Sequence, residues 1–255
     1  MKVAILAGGQ GTRLVEETRA KAKAMVRIGE RPILWHLLKY YAHFGFGEFV
    51  IALGYQADSI RQYFVEALGA STESAGPRLL ARPRAEPGWT VELIDTGAKS
   101  DTGGRIKRLA PYLADAPFML TWCDGLADID LRALAAFHRA HGQLATLTAV
   151  HPPPRFGRLA LAGDAVSAFR EKEVEADEWI NGAFFVLEPG VFEYIDGDRD
   201  SFERATLPRL VAAGRALRAY RHGGFWQCMD TLKEAEDLNR LWRSGRAPWR
   251  VWAEA

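Results

Sequence analysis

Short apolar runs alternate with helical patterns along the first part of the chain. Residues 3–7 form a continuous apolar run, which is typical of a strand buried on both faces of a sheet. Residues 33–41 place apolar side chains on one helical face, which predicts a helix with Pro32 as its first residue. A second apolar run at 49–53 precedes another helical pattern at 58–68. This β-α-β-α order predicts a parallel, doubly wound sheet with right-handed crossovers.

The same alternation continues after one interruption. Residues 69–88 lack periodicity, and we interpret them as a surface loop or a small insertion. Further strands are predicted at 90–95, 118–122, 144–150 and 216–221, and further helices at 102–113, 131–141, 201–213 and 231–242. Short strands at 159–161, 166–169 and 184–187 favour an antiparallel addition. The predicted fold class is therefore α/β, a mostly parallel mixed sheet flanked by helices, with a small β-rich lobe.

Bulk composition excludes several classes of function. The chain carries 33 basic and 32 acidic residues, a net charge of +1, so nothing indicates a nucleic-acid or membrane surface. No apolar run approaches the roughly 18 residues that a membrane span needs. Two cysteines, Cys123 and Cys228, are too few for a disulfide scaffold, so a reduced, cytoplasmic protein is expected. Because neither a linker nor a repeat interrupts residues 1–255, we predict a single domain.

The strongest chemical signal is a glycine-rich loop directly after the first strand. Gly8, Gly9 and Gly11 let the backbone come close to a ligand and point its amides at phosphate oxygens. The guanidinium of Arg13 adds a positive charge and paired N–H donors that suit a polyphosphate. The loop lacks the Gly-Lys-Ser/Thr ending of a P-loop, and Leu14 stands where a dinucleotide fingerprint needs its third glycine. A tight turn alone would explain one glycine but not this cluster.

Two carboxylates stand at the ends of different predicted segments, Asp124 after the strand 118–122 and Asp230 before the helix 231–242. Ligands of open α/β sheets bind beyond the carboxyl ends of the strands, and Mg²⁺ takes one or two carboxylates together with phosphates and water. Asp124 and Asp230 are therefore a candidate magnesium pair, although Asp124 could be a turn residue and Asp230 a helix cap. Lys23 and Arg13 would bracket a triphosphate, or be solvated surface charges.

Polar residues in the β-rich part suit a sugar and its phosphate. Glu171, Lys172, Asn181 and Gly182 carry this prediction, and each is a weak signal by itself. The histidines have no spacing typical of metal ligands, so we interpret them as structural or solvated.

Taken together, these residues resemble the sugar-phosphate nucleotidyltransferase family, which makes nucleotide-sugars from sugar 1-phosphates. The resemblance rests on stretches at 6–14, 23–26, 32–36, 95–97, 102–105, 144–150, 179–182, 225–232 and 247–252. It implies a Rossmann-like nucleotidyltransferase fold, dependence on Mg²⁺ and a homo-oligomer. It is strongest to members that use CTP and glucose 1-phosphate. It further implies that residues 1–150 form a nucleotide-binding part and residues 151–255 a part for sugar-phosphate binding and oligomerisation.

The resemblance also implies roles for individual residues. The predicted nucleotide contacts are Leu6, Ala7, Gly8, Gly9, Gly11, Thr12, Arg13, Lys23 and Arg105. The predicted sugar-phosphate contacts are Trp122, Glu171, Lys172, Asn181 and Gly182. Catalysis is assigned to Arg13 and Lys23 with Asp124 and Asp230, the two aspartates also being the metal ligands.

Several positions depart from the family pattern. The family usually has proline on both sides of the Lys23 position, where this chain has Ala22 and Ala24. Trp122-Cys123 replaces Tyr-Gly before Asp124, and Glu173 stands where a proline is expected. Strand alternation places Trp122 and Asp124 on one face of the strand and Cys123 on the other, where its side chain would pack. The alternative is that the thiol faces the substrate cleft and narrows it.

These departures border the expected site and leave alternatives open. The same chemistry could act on another sugar or cyclitol phosphate or on another nucleoside triphosphate. A catalytically silent paralogue that only binds a nucleotide-sugar is the alternative from a different class.

Overall fold

The computed structural model describes residues 1–9, 11, 14, 18, 20–153, 158–171, 178–214 and 216–253. In chain order its strands are β1 (Val3–Leu6), β2 (Arg27–Ile28), β3 (Arg31–Pro32), β4 (Glu48–Leu53), β5 (Ser71–Ala75), β6 (Arg78–Arg82), β7 (Thr90–Asp95), β8 (Phe118–Trp122), β9 (Gly125–Ala127), β10 (Ala145–Val150), β11 (Arg158–Ala162), β12 (Ala165–Arg170), β13 (Ile180–Leu187), β14 (Leu217–His222) and β15 (Trp226–Cys228). The α-helices are α1 (Ile33–His43), α2 (Ala57–Gln62), α3 (Thr102–Arg108), α4 (Ala110–Leu113), α5 (Leu131–His141), α6 (Leu207–Ala212) and α7 (Leu232–Arg243). Short 3₁₀ turns occur at Lys23–Met25 and Pro189–Tyr194, and π turns at Tyr63–Ala67 and Phe202–Thr206.

Among the described residues, nine strands form one mixed sheet in the order β14-β10-β13-β8-β1-β4-β7-β6-β5. Strand β1 pairs in parallel with β4 and β8, and β4 pairs in parallel with β7. Strand β13 runs antiparallel between β8 and β10. The predicted fold class, α/β with a mixed sheet flanked by helices, is confirmed, although only four of the eight pairings described in this sheet are parallel.

Both faces of this sheet are covered by apolar side chains. Along β1, Val3 and Ile5 belong to one core with helix α1, whereas Ala4 and Leu6 belong to the other. Successive side chains of a strand point to opposite faces, so a strand covered on both faces must be apolar at every position. This explains the continuous apolar run at the start of the chain.

Local signals placed several elements correctly. Asp130 caps helix α5 by accepting from the backbone N–H groups of Arg132 and Ala133, and Gly142 ends the helix at φ +60°, as predicted. The prediction for α1 was wrong at its first residue: Pro32 precedes the helix, with ψ 152°, and the helix begins at Ile33.

The interpretation of residues 69–88 as a surface loop or insertion was incomplete, because strands β5 and β6 form a hairpin there. It extends the sheet beyond β7, and Gly76 forms its turn at φ +57°. Strand β5 is exposed along its whole length, so its polar sequence shows no apolar alternation. Glu73 and Arg82 form an ion pair across the hairpin at 2.9 Å.

The pairing directions bring the carboxyl ends of β1, β4, β7 and β8 to one edge of the sheet, where the candidate residues lie. None of the described helices is both long and apolar enough to cross a bilayer. The cytoplasmic location and the single domain with its two functional parts stay predictions.

Candidate active site

The two predicted metal carboxylates are brought together by a small two-stranded ribbon. Asp124 lies in the turn between β8 and β9, and Asp230 follows β15. Strands β9 and β15 pair in antiparallel fashion, with Gly125 opposite Cys228. The backbone N–H of Met229 also donates to the Asp124 carbonyl oxygen at 2.8 Å. Residues far apart in sequence therefore lie side by side.

Asp230 is not the helix cap that the sequence left as an alternative. The cap of α7 is Thr231, whose side chain accepts from the backbone N–H of Glu234. Glu234 completes a capping box by accepting from the backbone N–H of Thr231 at 2.9 Å. The Asp230 carboxylate is thus directed elsewhere.

Both carboxylates converge on the ammonium of Lys23. The Lys23 Nζ atom lies 2.7 Å from Oδ2 of Asp124 and 2.6 Å from Oδ1 of Asp230. Burial would lower the pKa of Lys23, but the attraction and hydrogen bonds of the two carboxylates together raise it above its ordinary value. The lysine predicted to contact phosphates therefore pairs with both predicted metal carboxylates.

This donor set fits a magnesium ion that is shared with a substrate. Two carboxylates directed at one cation supply the hard oxygen ligands that Mg²⁺ prefers. Among the residues that the structure describes, no group of three or more histidine, cysteine, aspartate or glutamate side chains could enclose a metal. Phosphate and water oxygens would have to complete the coordination.

A cavity of about 650 Å³ opens beside this cluster. It is lined by Leu6, Gly8, Gly9, Gly11, Lys23, Ala98, Lys99, Ser100, Asp101, Thr102, Arg105, Trp122, Cys123, Asp124 and Asp230. Nine predicted site residues thus share one cavity. Sequence reasoning missed the wall formed by residues 98–101, although the stretches 95–97 and 102–105 on either side were singled out. Thr12, Arg13 and Lys172 lie outside the described residues.

The glycine loop has a second reason for its composition. A Cβ on Gly8 or on Gly54 would overlap the guanidinium of Arg105, whereas Gly9 has open space beside it. Arg105 is only 5% exposed, and its Nη1 donates to the carbonyl oxygens of Leu53 at 3.1 Å and Gly97 at 2.8 Å. Burial lowers its pKa. Arg105 therefore joins the ends of β4 and β7 directly beneath the loop, in addition to lining the cavity.

Helix α3 reaches this position because its first turn has no side chains on one face. A Cβ on Gly104 would overlap the backbone of Asp198, and one on Gly103 would come within 2.7 Å of the Asp200 carbonyl oxygen. The backbone N–H of Gly104 donates to that oxygen at 3.2 Å. The two glycines before Arg105 are thus explained by close packing rather than by a ligand.

Trp122 and Cys123 separate as strand alternation predicts. Trp122 packs with Phe185 and Phe202 in one core, while Cys123 is buried in the other, although both side chains also border the cavity. Burial raises the pKa of the Cys123 thiol to about 12, which favours the packing interpretation. Trp122 Nε1 donates to Glu203 at 3.0 Å, a contact that no sequence signal indicated.

Of the predicted sugar-side residues, Trp122 lines the cavity, whereas Glu171, Asn181 and Gly182 are not among its lining residues. Asn181 accepts from the backbone N–H of Ala183 at 2.9 Å, and Gly182 accepts from Trp226 Nε1 at 2.7 Å. A Cβ on Gly182 would come within 2.8 Å of Val150 Cγ1. Glu171 is exposed. These contacts shape the start of β13, and the roles of these residues toward a sugar stay predictions.

Comparisons with known proteins agree with this geometry. Residues 2–240 match the family model described as nucleotidyl transferase. The chain is 46% identical over 258 residues to glucose-1-phosphate cytidylyltransferases of Salmonella typhimurium and Salmonella typhi, covering 99% of this chain and 100% of each relative. Among solved structures, HddC from Yersinia pseudotuberculosis superposes with a TM-score of 0.71 at 22% identity, covering 94% of this chain and 99% of that one. The chain belongs to the nucleotidyl transferase family.

Proposed function

We propose that this protein transfers the cytidylyl group of CTP to glucose 1-phosphate, giving CDP-glucose and pyrophosphate. The observation that carries the reaction class is the convergence of Lys23, Asp124 and Asp230 at a cavity beside the glycine loop. The choice of substrates is supported by full-length similarity to relatives named glucose-1-phosphate cytidylyltransferase.

The reaction requires no general base. A phosphate oxygen of the sugar 1-phosphate attacks the α-phosphorus of the nucleotide, a new P–O bond forms, and the bond to the β-phosphate breaks as pyrophosphate leaves. A phosphate monoester has its second pKa near 6, so this nucleophile is already a dianion at neutral pH. The described part of the cavity is lined by no histidine, which agrees with this mechanism.

The protein must instead bring two anions together. Lys23, Lys99 and Arg105 place positive charge at the cavity, and Arg13 is predicted to add to it. Preorganised charges at a phosphoryl group stabilise the transition state by a few kcal/mol each, and positioning in line with the leaving group contributes further. Lys172 is the proposed contact of the sugar phosphate.

Asp124 and Asp230 are the proposed holders of Mg²⁺. When bound, the ion supplies charge neutralisation to the triphosphate. Both carboxylates pair with the Lys23 ammonium in the structure, and Lys23 is the proposed contact of the triphosphate oxygens. Leu6, Ala7, Gly8, Gly9, Gly11 and Thr12 are proposed to line the nucleotide, and Trp122 to border the sugar.

A screen for released pyrophosphate tests the proposal. CTP, UTP, dTTP and GTP are each combined with glucose 1-phosphate and other sugar and cyclitol phosphates, with Mg²⁺ present. We expect CTP with glucose 1-phosphate to give the highest kcat/KM. A clear preference for another pair would replace the proposed substrates. Binding of nucleotide-sugar without pyrophosphate from any pair would indicate a silent paralogue.

We further propose that the protein is a homo-oligomer. The hairpin of β11 and β12 exposes three large apolar side chains, with Leu159 at 56%, Val166 at 57% and Phe169 at 62%. Leu159 and Phe169 lie opposite each other in its register. Adjacent exposed apolar side chains are typical of interfaces. Light scattering should give a multiple of the chain mass that falls in Phe169→Glu but not in the control Val65→Glu, and a monomeric wild type would contradict the proposal.

A further inference from the structure

One serine of helix α2 contacts the backbone directly before Lys23. The backbone N–H of Ala22 donates to Ser59 Oγ at 3.0 Å, and Ser59 Oγ donates to the Gln56 carbonyl oxygen at 2.7 Å. The hydroxyl proton is therefore donated to the residue that precedes α2, and an oxygen lone pair accepts from Ala22. Ser59 thus joins a helix after β4 to the segment that carries the cavity lysine.

The backbone at Ala22 has a conformation that alanine does not enforce. Its φ is −60° and its ψ is 148°. Proline fixes φ close to this value, whereas alanine samples a wider range. Ala22 stands where the family usually has proline, and a proline there would have no N–H to donate. The N–H that alanine introduces is the group that Ser59 binds.

The direction of Lys23 depends on this segment. The Ala22 carbonyl oxygen accepts from Met25 N–H at 2.8 Å, and the Lys23 carbonyl oxygen accepts from Val26 N–H at 3.0 Å. The short turn Lys23–Met25 therefore starts from the Ala22 peptide. A rotation at Ala22 would move the origin of the Lys23 side chain, whose ammonium lies at the end of four methylenes between two carboxylates.

We propose that Ser59 is a positioning residue that holds Ala22 in a proline-like conformation and so places the Lys23 ammonium. This inference rests on the proposed function of Lys23. The hydrogen bond between Ser59 and Ala22 would restrict the backbone in the way that the ring of a proline at position 22 would restrict it covalently.

The proposal predicts an unusual pattern in a double-mutant cycle. Ser59→Ala removes the acceptor and leaves the Ala22 N–H unbonded, so kcat/KM should fall about tenfold, mainly through kcat. Ala22→Pro alone should also be impaired, because the ring carbon on the nitrogen would overlap Ser59 Oγ. In Ala22→Pro/Ser59→Ala the overlap is gone and the ring fixes φ, so kcat/KM should return to within about threefold of wild type. Ser244→Ala removes another serine hydroxyl that donates to a carbonyl oxygen, at 3.0 Å, and serves as the control.

A second readout does not depend on turnover. Competitive acetylation of Lys23, quantified by peptide mass spectrometry, should rise several-fold in Ser59→Ala and return to the wild-type rate in the double variant. Unchanged labelling in Ser59→Ala would overturn the proposal, as would a double variant that is worse than either single one. If wild type releases no pyrophosphate, the proposed function fails. The acetylation rates of Lys23 in wild type, Ser59→Ala and the double variant still decide the role of Ser59.

Discussion

The ammonium nitrogen of Lys23 lies 2.6 Å from Oδ1 of Asp230, and the same nitrogen lies 2.7 Å from Oδ2 of Asp124. One side chain thus balances two partly buried negative charges that would otherwise repel each other. A divalent cation held by the same carboxylates, as proposed, would compete with this ammonium for them.

Removing one carboxylate tests the metal assignment. Asp124→Asn and Asp230→Asn should each reduce turnover at least about 100-fold while leaving the fold intact, because an amide is a poor ligand for Mg²⁺. Thr231→Ala is the matched control, since it removes the cap of α7 and should cost about 1 kcal/mol of unfolding free energy without a comparable loss of turnover. Near-normal turnover of Asp230→Asn at low Mg²⁺ would show that Asp230 is not a metal ligand.

Replacing Lys23 should separate metal binding from catalysis. Lys23→Met removes a cation that pairs with both carboxylates, so Mn²⁺ should bind the nucleotide-free protein more tightly than it binds wild type. The same variant should lose about 2–4 kcal/mol of transition-state stabilisation. Electron paramagnetic resonance of free Mn²⁺ and steady-state kinetics measure the two effects.

Lys39→Met is the control for that experiment. Lys39 pairs with Glu86 at 2.8 Å, away from the cavity, so neither effect should appear there. If the only damage in Lys23→Met were a raised KM for the sugar phosphate, Lys23 would not act on the triphosphate.

The buried thiol beside Asp124 should be nearly inert. With the pKa of Cys123 raised to about 12 by burial, iodoacetamide at pH 8 should label it roughly a thousand times more slowly than glutathione. Peptide mass spectrometry over several hours measures the rate. Rapid labelling that nucleotide and Mg²⁺ block would show instead that reagents reach the thiol from the cavity it borders, and a gain in glucose 1-phosphate turnover by Cys123→Gly would then indicate a different natural sugar.

Stability should fall in mild acid because of a buried histidine. Burial lowers the pKa of His36 from 6.5 to about 4, so the unfolded chain binds the proton more readily between these values. This difference contributes on the order of 3 kcal/mol to the free energy of unfolding above about pH 6.5. The contribution is lost as the pH falls toward 4. Urea unfolding should show that the free energy of unfolding falls less between pH 7.5 and pH 4.5 in His36→Gln than in wild type.

The exposed His43 provides the control for this measurement. His43→Gln should keep the wild-type decline with pH. Some decline should also persist in His36→Gln, because burial lowers the pKa of His138 as well. An unchanged pH dependence in His36→Gln would exclude His36 as the titrating group.

The sequence predicted features whose causes are local. The strand after Met1 and helix α5 with its cap Asp130 follow from apolar periodicity and turn chemistry within a few residues. The β5–β6 hairpin was missed because an edge strand with both faces in solvent carries no apolar alternation. Strand propensity alone does not distinguish such a segment from a loop.

The candidate site was predicted as a set of residues but not as an arrangement. Asp124 and Asp230 were recognisable because each stands at the end of a predicted segment and matches the family pattern. That Lys23 lies between them, and that Arg105 lies beneath Gly8, depends on contacts between distant segments. Such contacts leave no period or spacing in the sequence.

The antiparallel strand β13 has a consequence for how the molecule opens. It is hydrogen-bonded to β8 on one side and to β10 on the other, so it joins the earlier strands of the sheet to the later ones. Amide protons of Phe184–Leu187 cannot reach solvent by fraying of a free edge. We expect them to exchange with deuterium only in molecules that have lost the sheet as a whole, at rates that report the global free energy of unfolding.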